Sequence, residues 1–346
     1  MTELMRAARL PAPDADPRVE LVPVPRPQGG EVRVAVRACG VCATDLHIID
    51  GDTKTRTPVT LGHEIAGVVD AAGSPDGSAL VGQRVAVNSM IACAECAPCR
   101  SGRAYLCRRP TILGLDRDGG HAEFVVAPAS SCIPLPDAVD FVTGSMATDA
   151  IGTPFAALRR SGVQTGGTAA VFGLGGLGLH AAIMLKQLYR ATVVGVDQYD
   201  GALERASTFG VDHVIDARQG QAGRAIRALF PDGVDAAFDF VGSPGVVDLG
   251  LRSLRVGGTC VAVGVVSDHL NLSVRQETLV GRQLTLRGSF GFRDNADVSE
   301  IFDLIASGRL DISGTVTHRH RLDDYGEAIS RLRNRTGNPI RISIVV

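Results

Sequence analysis

Tryptophan is absent from these 346 residues, and aromatic residues of any kind make up only 4%. Packing falls to aliphatic side chains, and with 45% of the chain hydrophobic there are enough of them for sizeable cores. An excess of either charge is also missing. The chain has 35 Lys and Arg against 37 Asp and Glu, a formal net charge of -2. No global basic field draws it to nucleic acid or to an acidic membrane surface. No stretch approaches the roughly 18 consecutive apolar residues of a membrane span. The N-terminal segment MTELMRAARLPAPD lacks the continuous apolar stretch of a signal peptide. These absences predict a cytoplasmic protein with no membrane or nucleic-acid partner. Internal repeats, low-complexity tracts, charge blocks and a compositional linker are missing too.

What is present is length enough for two domains, 41 glycines and eight cysteines. Glycine suits tight turns and close backbone approach to a ligand, and equally a compositional bias of the source genome. The first half reads as β-rich. Glu31–Arg37, Ile65–Val69 and Arg84–Val87 are rich in valine, alternate apolar with polar residues, and are bounded by Pro, Gly and Asp. The period changes near residue 150. Apolar strands are expected at Thr168–Phe172, Thr192–Val196, His213–Ile215, Ala236–Phe240, Cys260–Val265 and Gln283–Leu286. Helical patterns lie between them at Leu177–Tyr189, Ala202–Thr208, Gly223–Leu229 and Val247–Arg255. Such alternation predicts an α/β domain over 151–290, a doubly wound parallel sheet with helices on both faces. A further helix is expected at Asp297–Ser307 and a strand at Ile340–Val346, returning residues 291–346 to the first domain, 1–150.

Four motifs carry chemistry. The run Phe172-Gly173-Leu174-Gly175-Gly176-Leu177-Gly178 is G-x-G-x-x-G after a strand and before a helix. Its glycines allow a tight turn, backbone approach to a pyrophosphate and close helix packing, with the helix N-terminus facing the phosphates. Asp197 ends the next strand, 19 residues past Gly178. A carboxylate there accepts hydrogen bonds from the ribose hydroxyls of NAD and repels the 2′-phosphate of NADP. A glycine turn with a surface Asp, or an S-adenosylmethionine site, would use similar residues.

Cys93-x2-Cys96-x2-Cys99-x7-Cys107 supplies four thiolates that can close a tetrahedron around zinc, leaving no open position. That pattern predicts a structural metal; an iron–sulfur cluster is the alternative. Two further segments, Cys39-Gly40-Val41-Cys42-Ala43-Thr44-Asp45-Leu46-His47 and Gly62-His63-Glu64, offer a thiolate and an imidazole that could share a second metal, given a third ligand and an open fourth position.

In the order and spacing of these motifs the chain resembles the zinc-containing alcohol dehydrogenases of the medium-chain dehydrogenase/reductase superfamily, over almost its whole length. The resemblance implies a GroES-like β-rich catalytic domain with both zinc sites, a Rossmann NAD-binding domain, and an active site in the cleft between them. It implies two zinc ions per chain, with Cys42 and His63 as catalytic zinc ligands. Asp45 would orient His63, and Glu64 would sit behind the metal. The family usually has Cys in a C-A-G-x-T segment as third ligand. Here the segment is Asp149-Ala150-Ile151-Gly152-Thr153, so Asp149 stands in its place, as a ligand or as a carboxylate beside one.

The resemblance further implies reversible hydride transfer between a primary or secondary alcohol and NAD. Thr44 would take the alcohol proton and His47 would pass it to solvent. Thr153 would press on the nicotinamide, Val241 and Gly242 would line the adenine side, and Val263, Gly264 and Val265 the nicotinamide side. Thr44, Ser89, Met90 and Leu115 are candidate pocket residues. Cys39, Cys132, Cys260 and His121 read as structural. A polyol or threonine dehydrogenase, a zinc-stabilised quinone or enoyl reductase-like protein, and a non-enzymatic zinc scaffold are the competing readings. Family members are homodimers or homotetramers acting on small alcohols or carbonyls.

Overall fold

The computed structural model describes residues 3–266, 269–270 and 272–346. Two compact units emerge. One holds the chain up to Gly152, together with Phe292–Ser307 and Ser313–Val346; the other holds Thr153–Gly291 and Gly308–Ile312.

The first unit is built on a seven-stranded sheet. Glu31–Val41 pairs antiparallel with Glu64–Ala72, Phe124–Pro128 and the C-terminal strand Arg341–Val345. Along Glu31–Val41 burial alternates until Val36 and then becomes continuous from Ala38 to Val41. The valines of the alternating part turn one face to a core with Ile65, Val69, Val85, Val87 and Leu113. The continuous part runs beneath a second core of Ile48, Leu61, Leu322, Tyr325, Ile342 and Ile344. Register places Gly40 opposite both Glu64 and Ser343, so three strands converge there.

Strand Val316–Arg321 and helix Tyr325–Asn334 were not expected from the sequence. The strand reads V-T-H-R-H-R and is half-buried on alternate residues only, so its polar composition hides its period. A small ladder, Met90–Ile91 with Thr111–Ile112, closes the base of the cysteine segment.

The second unit is a six-stranded sheet, all parallel, in the order His213–Asp216, Thr192–Asp197, Thr168–Phe172, Val234–Asp239, Leu254–Ala262 and Thr285–Gly288. The chain winds outward one way from Thr168–Phe172 and then the other way from Val234–Asp239, so those two strands flank the switch point where ligands bind such sheets. Helix Gly176–Tyr189 buries eight consecutive residues, Gly178 to Leu185, as expected for a helix covered on most sides.

The largest departures from the expected boundaries fall at one helix and the strand after it. The helix expected at Val247–Arg255 spans Pro244–Ser253, because Pro244 with its fixed φ begins the first turn. The strand expected at Cys260–Val265 is Leu254–Ala262. It runs through Gly257 and Gly258, a pair that reads as a turn, with Gly257 at φ +75°. Val263, Gly264 and Val265 therefore lie beyond the sheet, in the loop at its C-terminal edge.

Candidate metal centres and dinucleotide site

One group of ligands lies in the first unit: Cys42, His63, Glu64 and Asp149 bring one donor atom each to within 4.8 Å of one another. Cys42 follows strand Glu31–Val41 and precedes helix Ala43–Ile49, where its backbone amide donates to Asp45 Oδ2 at 2.9 Å. His63 follows Gly62, whose φ of +97° turns the chain; a Cβ there would lie 2.7 Å from His121 Cγ. Asp149 lies between helices Phe141–Met146 and Gly152–Ser161. Its Oδ2 is 3.5 Å from Cys42 Sγ and 3.7 Å from His63 Nε2.

The pocket is rich in negative charge. Burial by itself pushes the His63 imidazole down, yet Asp149, Cys42 and Asp45 outweigh it and hold the ring well above its ordinary value. Burial likewise opposes ionisation of Asp149, and His63, Glu64 and Arg341 overcome it, keeping the carboxyl below the usual range. A place that draws a proton onto a buried imidazole suits a cation. The donor set of thiolate, imidazole and carboxylate suits zinc and neutralises its two charges.

Asp45 is fully buried, with Oδ1 3.7 Å from His63 Nδ1; neither atom has a hydrogen-bond partner among the described residues. Thr44 Oγ1 is 3.6 Å from Cys42 Sγ. His47, three residues along the same helix, is exposed, 3.2 Å from Asp52 Oδ2, and stands outside the buried cluster. Ser89, Met90 and Leu115 are half-buried in this unit. His121 is buried and its Nε2 meets Gly40 O at 3.1 Å, a structural contact.

Sequence reasoning missed Arg341. Its Nη2 donates to both Glu64 oxygens at 2.5 Å, and both side chains are buried. Burial pushes the Glu64 carboxyl up to about 7 even though Arg341 pulls it down. Removing one partner leaves an uncompensated buried charge, at a cost of about 3–5 kcal/mol. The available signal was an arginine inside the apolar run R-I-S-I-V-V.

Cys93, Cys96, Cys99 and Cys107 form the second group of ligands, again within 4.8 Å of one another. Ala94 at φ +60° and Gly102 at φ +73° bend the chain around it. Cys93 N lies 3.2 Å from Cys107 Sγ and the Cys96 and Cys99 sulfurs are 3.3 Å apart. Backbone amides draw Cys96 down to about 6, while burial and neighbouring thiols push Cys99 up to about 12. Four sulfurs this close compete for the same protons and donors, and a divalent cation replaces that competition with four equal bonds.

In the second unit, Gly173 takes φ +85°, and a Cβ on Gly178 would lie 1.8 Å from Gly173 O, so the turn admits only glycine there. Gly175 has open space where its Cβ would be, beside the N-terminus of helix Gly176–Tyr189, with Leu177 in its first turn. Asp197 is held by three amides: Leu174 N at 2.6 Å, Gln198 N at 2.7 Å and Tyr199 N at 3.0 Å. This ties the acid directly to the glycine turn.

Asp239 plays a parallel part that the sequence reading missed, although it ends A-A-F-D as Asp197 ends V-V-G-V-D. It is buried, and its Oδ1 accepts from Val241 N at 2.8 Å and Gly242 N at 3.0 Å. Gly242, at φ +82°, packs against Gly264, whose Cβ would lie 2.2 Å from Gly242 N. Val263 is buried, and Val241 and Val265 are exposed. Thr153 is buried at the start of its helix.

Residues 28–137 match the alcohol dehydrogenase GroES-like domain, and residues 176–307 the zinc-binding dehydrogenase domain. An alcohol dehydrogenase of Geobacillus stearothermophilus is 31% identical, over 91% of this chain and 92% of its own length. An L-threonine 3-dehydrogenase of Rhizobium etli is 28% identical, over 96% of this chain and 97% of its own. The crystal structure of an E. coli CFT073 alcohol dehydrogenase complexed with NADH superposes with a TM-score of 0.91 at 26% identity, covering 99% of each chain. The α/β fold is thus a GroES-like domain joined to a Rossmann domain. The chain belongs to the zinc-dependent alcohol dehydrogenases of the medium-chain superfamily, enzymes that move a hydride between an alcohol and NAD.

Proposed function

We propose that this enzyme reversibly oxidises a primary or secondary alcohol to an aldehyde or ketone with NAD, using one catalytic zinc on Cys42, His63 and Asp149 and one structural zinc on Cys93, Cys96, Cys99 and Cys107. The observation that carries this reading is the convergence of Cys42, His63 and Asp149, from three separate chain segments, in one buried, anion-rich pocket. In this reading the first domain is 1–150 with 291–346, and the NAD domain is 151–290. It is a cytoplasmic homodimer or homotetramer, on the strength of the family resemblance.

When bound, zinc supplies the charge that acidifies the alcohol, and NAD accepts the hydride. The rest falls to this chain. Asp149 contributes the second negative charge that Cys42 alone lacks. Asp45 fixes the Cys42 backbone and faces the far nitrogen of His63, setting which nitrogen is turned to the metal. Thr44 accepts the alcohol proton at its hydroxyl. His47, exposed one turn further on, receives the proton that Thr44 passes along and hands it to water at the protein surface. Gly173, Gly175, Gly176, Leu177 and Gly178 take the pyrophosphate on backbone amides, and Asp197 takes the ribose hydroxyls. Thr153, Val241, Gly242, Val263, Gly264 and Val265 flank the two rings.

A second reading, a threonine dehydrogenase, is favoured by the Rhizobium etli relative matched over nearly the whole chain. A panel of primary alcohols, secondary alcohols, polyols and L-threonine with NAD, followed at the reduced-nicotinamide absorbance, separates the two. Alcohol turnover without threonine turnover supports the proposal, threonine as the best substrate replaces it, and no turnover of any member contradicts both.

A further inference from the structure

The acid proposed to hold the cofactor ribose does not stand alone at the edge of its sheet. Strands Thr192–Asp197 and His213–Asp216 run parallel, and their register sets Asp216 directly beside Asp197. Asp200 opens helix Asp200–Thr208, three residues past Asp197. The turn Ala217–Gln219 that follows Asp216 carries Arg218, the one Lys or Arg between His213 and Gly223. No basic residue lies between Asp197 and Glu204 in the sequence.

Arg218 is held from two sides. Asp216 Oδ1 accepts from Arg218 N at 2.9 Å, which fixes the turn, and from Arg218 Nε at 2.9 Å. Asp216 Oδ2 accepts from Nη2, also at 2.9 Å, so the pair is forked. These hydrogen bonds hold the Asp216 carboxyl below its usual range. Asp200 takes the outer edge of the same guanidinium, with Oδ1 on Nη2 and Oδ2 3.4 Å from Nη1. The Asp216 side chain is 21% exposed and that of Asp200 is 80% exposed. The Asp216 fork is therefore the anchor, and the Asp200 arm is the one an incoming anion can replace. An ion pair this open to water contributes little to stability, so its loss leaves the fold in place.

Charge shows what the Asp200 arm does. Asp197, Asp200 and Asp216 against the single Arg218 guanidinium leave this edge with carboxylate in excess, which opposes a phosphate. With Asp197 and Asp200 both neutralised, Asp216 and Arg218 balance, and the outer nitrogens of the guanidinium come free. A planar guanidinium matches phosphate geometry, and an arginine near this strand end is what accommodates a 2′-phosphate in sheets of this kind.

We propose that Arg218 is a latent anchor for the 2′-phosphate of NADP, held shut by Asp200, so that Asp200 shares with Asp197 the choice between NAD and NADP. This rests on the NAD site proposed above. Asp216 is a positioning residue: it aims Arg218 and touches no ligand.

The test reads binding, which does not depend on turnover. AMP and adenosine 2′,5′-bisphosphate, which differ by the 2′-phosphate alone, are titrated calorimetrically into the full-length enzyme. The unaltered enzyme binds AMP and rejects the bisphosphate. Asp197→Gly admits the bisphosphate weakly. Adding Asp200→Asn raises bisphosphate affinity relative to AMP by about ten-fold or more, the worth of one charge-assisted contact. Arg218→Ala on that double variant removes the gain. A double variant no better than Asp197→Gly overturns the proposal. A gain that survives Arg218→Ala overturns it too, because the gain then comes from charge removal alone. Should Arg218→Ala fail to fold, Arg218→Gln decides, since it keeps a donor for Asp216 without the charge. It is expected to remove the same gain, and a gain that survives it overturns the proposal. If the enzyme binds neither probe in any form, the NAD site itself is misplaced and both readings fall, whereas AMP binding without an Arg218-dependent gain sinks the latent anchor alone.

Discussion

Asp149 Oδ2 stands 3.5 Å from Cys42 Sγ, although 107 residues separate the two in sequence. Neither side chain has a local reason to meet the other. Cys42 is fixed by the end of a strand and the start of a helix, with Asp45 tied to its amide. Asp149 is fixed by the short connection between two helices. A thiol and a carboxylate held this close under burial repel each other once ionised, unless a cation lies between them. The reading of the site follows from that pair together with His63.

In the proposed reading, cofactor choice is set at Asp197. Its carboxylate is fastened to Leu174 of the glycine turn, so it cannot swing aside to admit a phosphate without losing three amide bonds. NAD should exceed NADP in kcat/KM by about ten-fold or more. Asp197→Gly should narrow the gap, mainly through KM. Equal use of both cofactors by the unaltered enzyme contradicts the assignment.

Cys99→Ser should lose the structural zinc and with it the fold of the segment around Cys93–Cys107. That segment has little else to hold it: its helix is the four-residue Ala97–Arg100, with none of those residues buried. A fall in thermal midpoint with one zinc fewer per chain is expected. A variant with full thermal stability rules out a structural site there.

Asp239 should matter to both stability and cofactor. Asp239→Ala removes the acceptor for Val241 N and Gly242 N, at a cost of about 1–3 kcal/mol for leaving buried donors unmet. NAD binding should weaken as the Gly242–Gly264 contact loosens. Asp239→Asn keeps an acceptor at the same place and should recover most of the NAD affinity. Calorimetric titration with NAD checks this, and an alanine variant that binds NAD normally shows that the turn holds itself.

Much of the site was legible in the sequence because its motifs are local. The glycine turn, the acid after the second strand and the four cysteines each announce themselves within a short window, and their geometry follows from strand and helix starts. Asp149 was reachable only by its place before Thr153, since nothing in its own neighbourhood distinguishes a ligand from a surface acid. Arg341 and Asp239 were invisible for different reasons. Arg341 acts across two strand pairings that no local pattern encodes, and Asp239 bonds to its own turn in a way any strand-ending acid could. The shifted helix Pro244–Ser253 and strand Leu254–Ala262 show how a proline and a glycine pair can each be misread when the sheet continues through them. Strand Val316–Arg321 was missed because an edge strand with alternate polar residues looks like a loop.

The central claim is that Asp149 completes the catalytic metal site, and zinc content per chain measured together with turnover tests it most directly. The unaltered enzyme should hold two zinc ions. Asp149→Ala should hold one, with thermal stability nearly kept and activity lost in step with the metal. Asp149→Asn should bind the second zinc more weakly, because the shape remains and the charge does not, and Asp149→Cys should retain it. An Asp149→Ala enzyme with two zinc ions per chain and normal turnover would contradict the account.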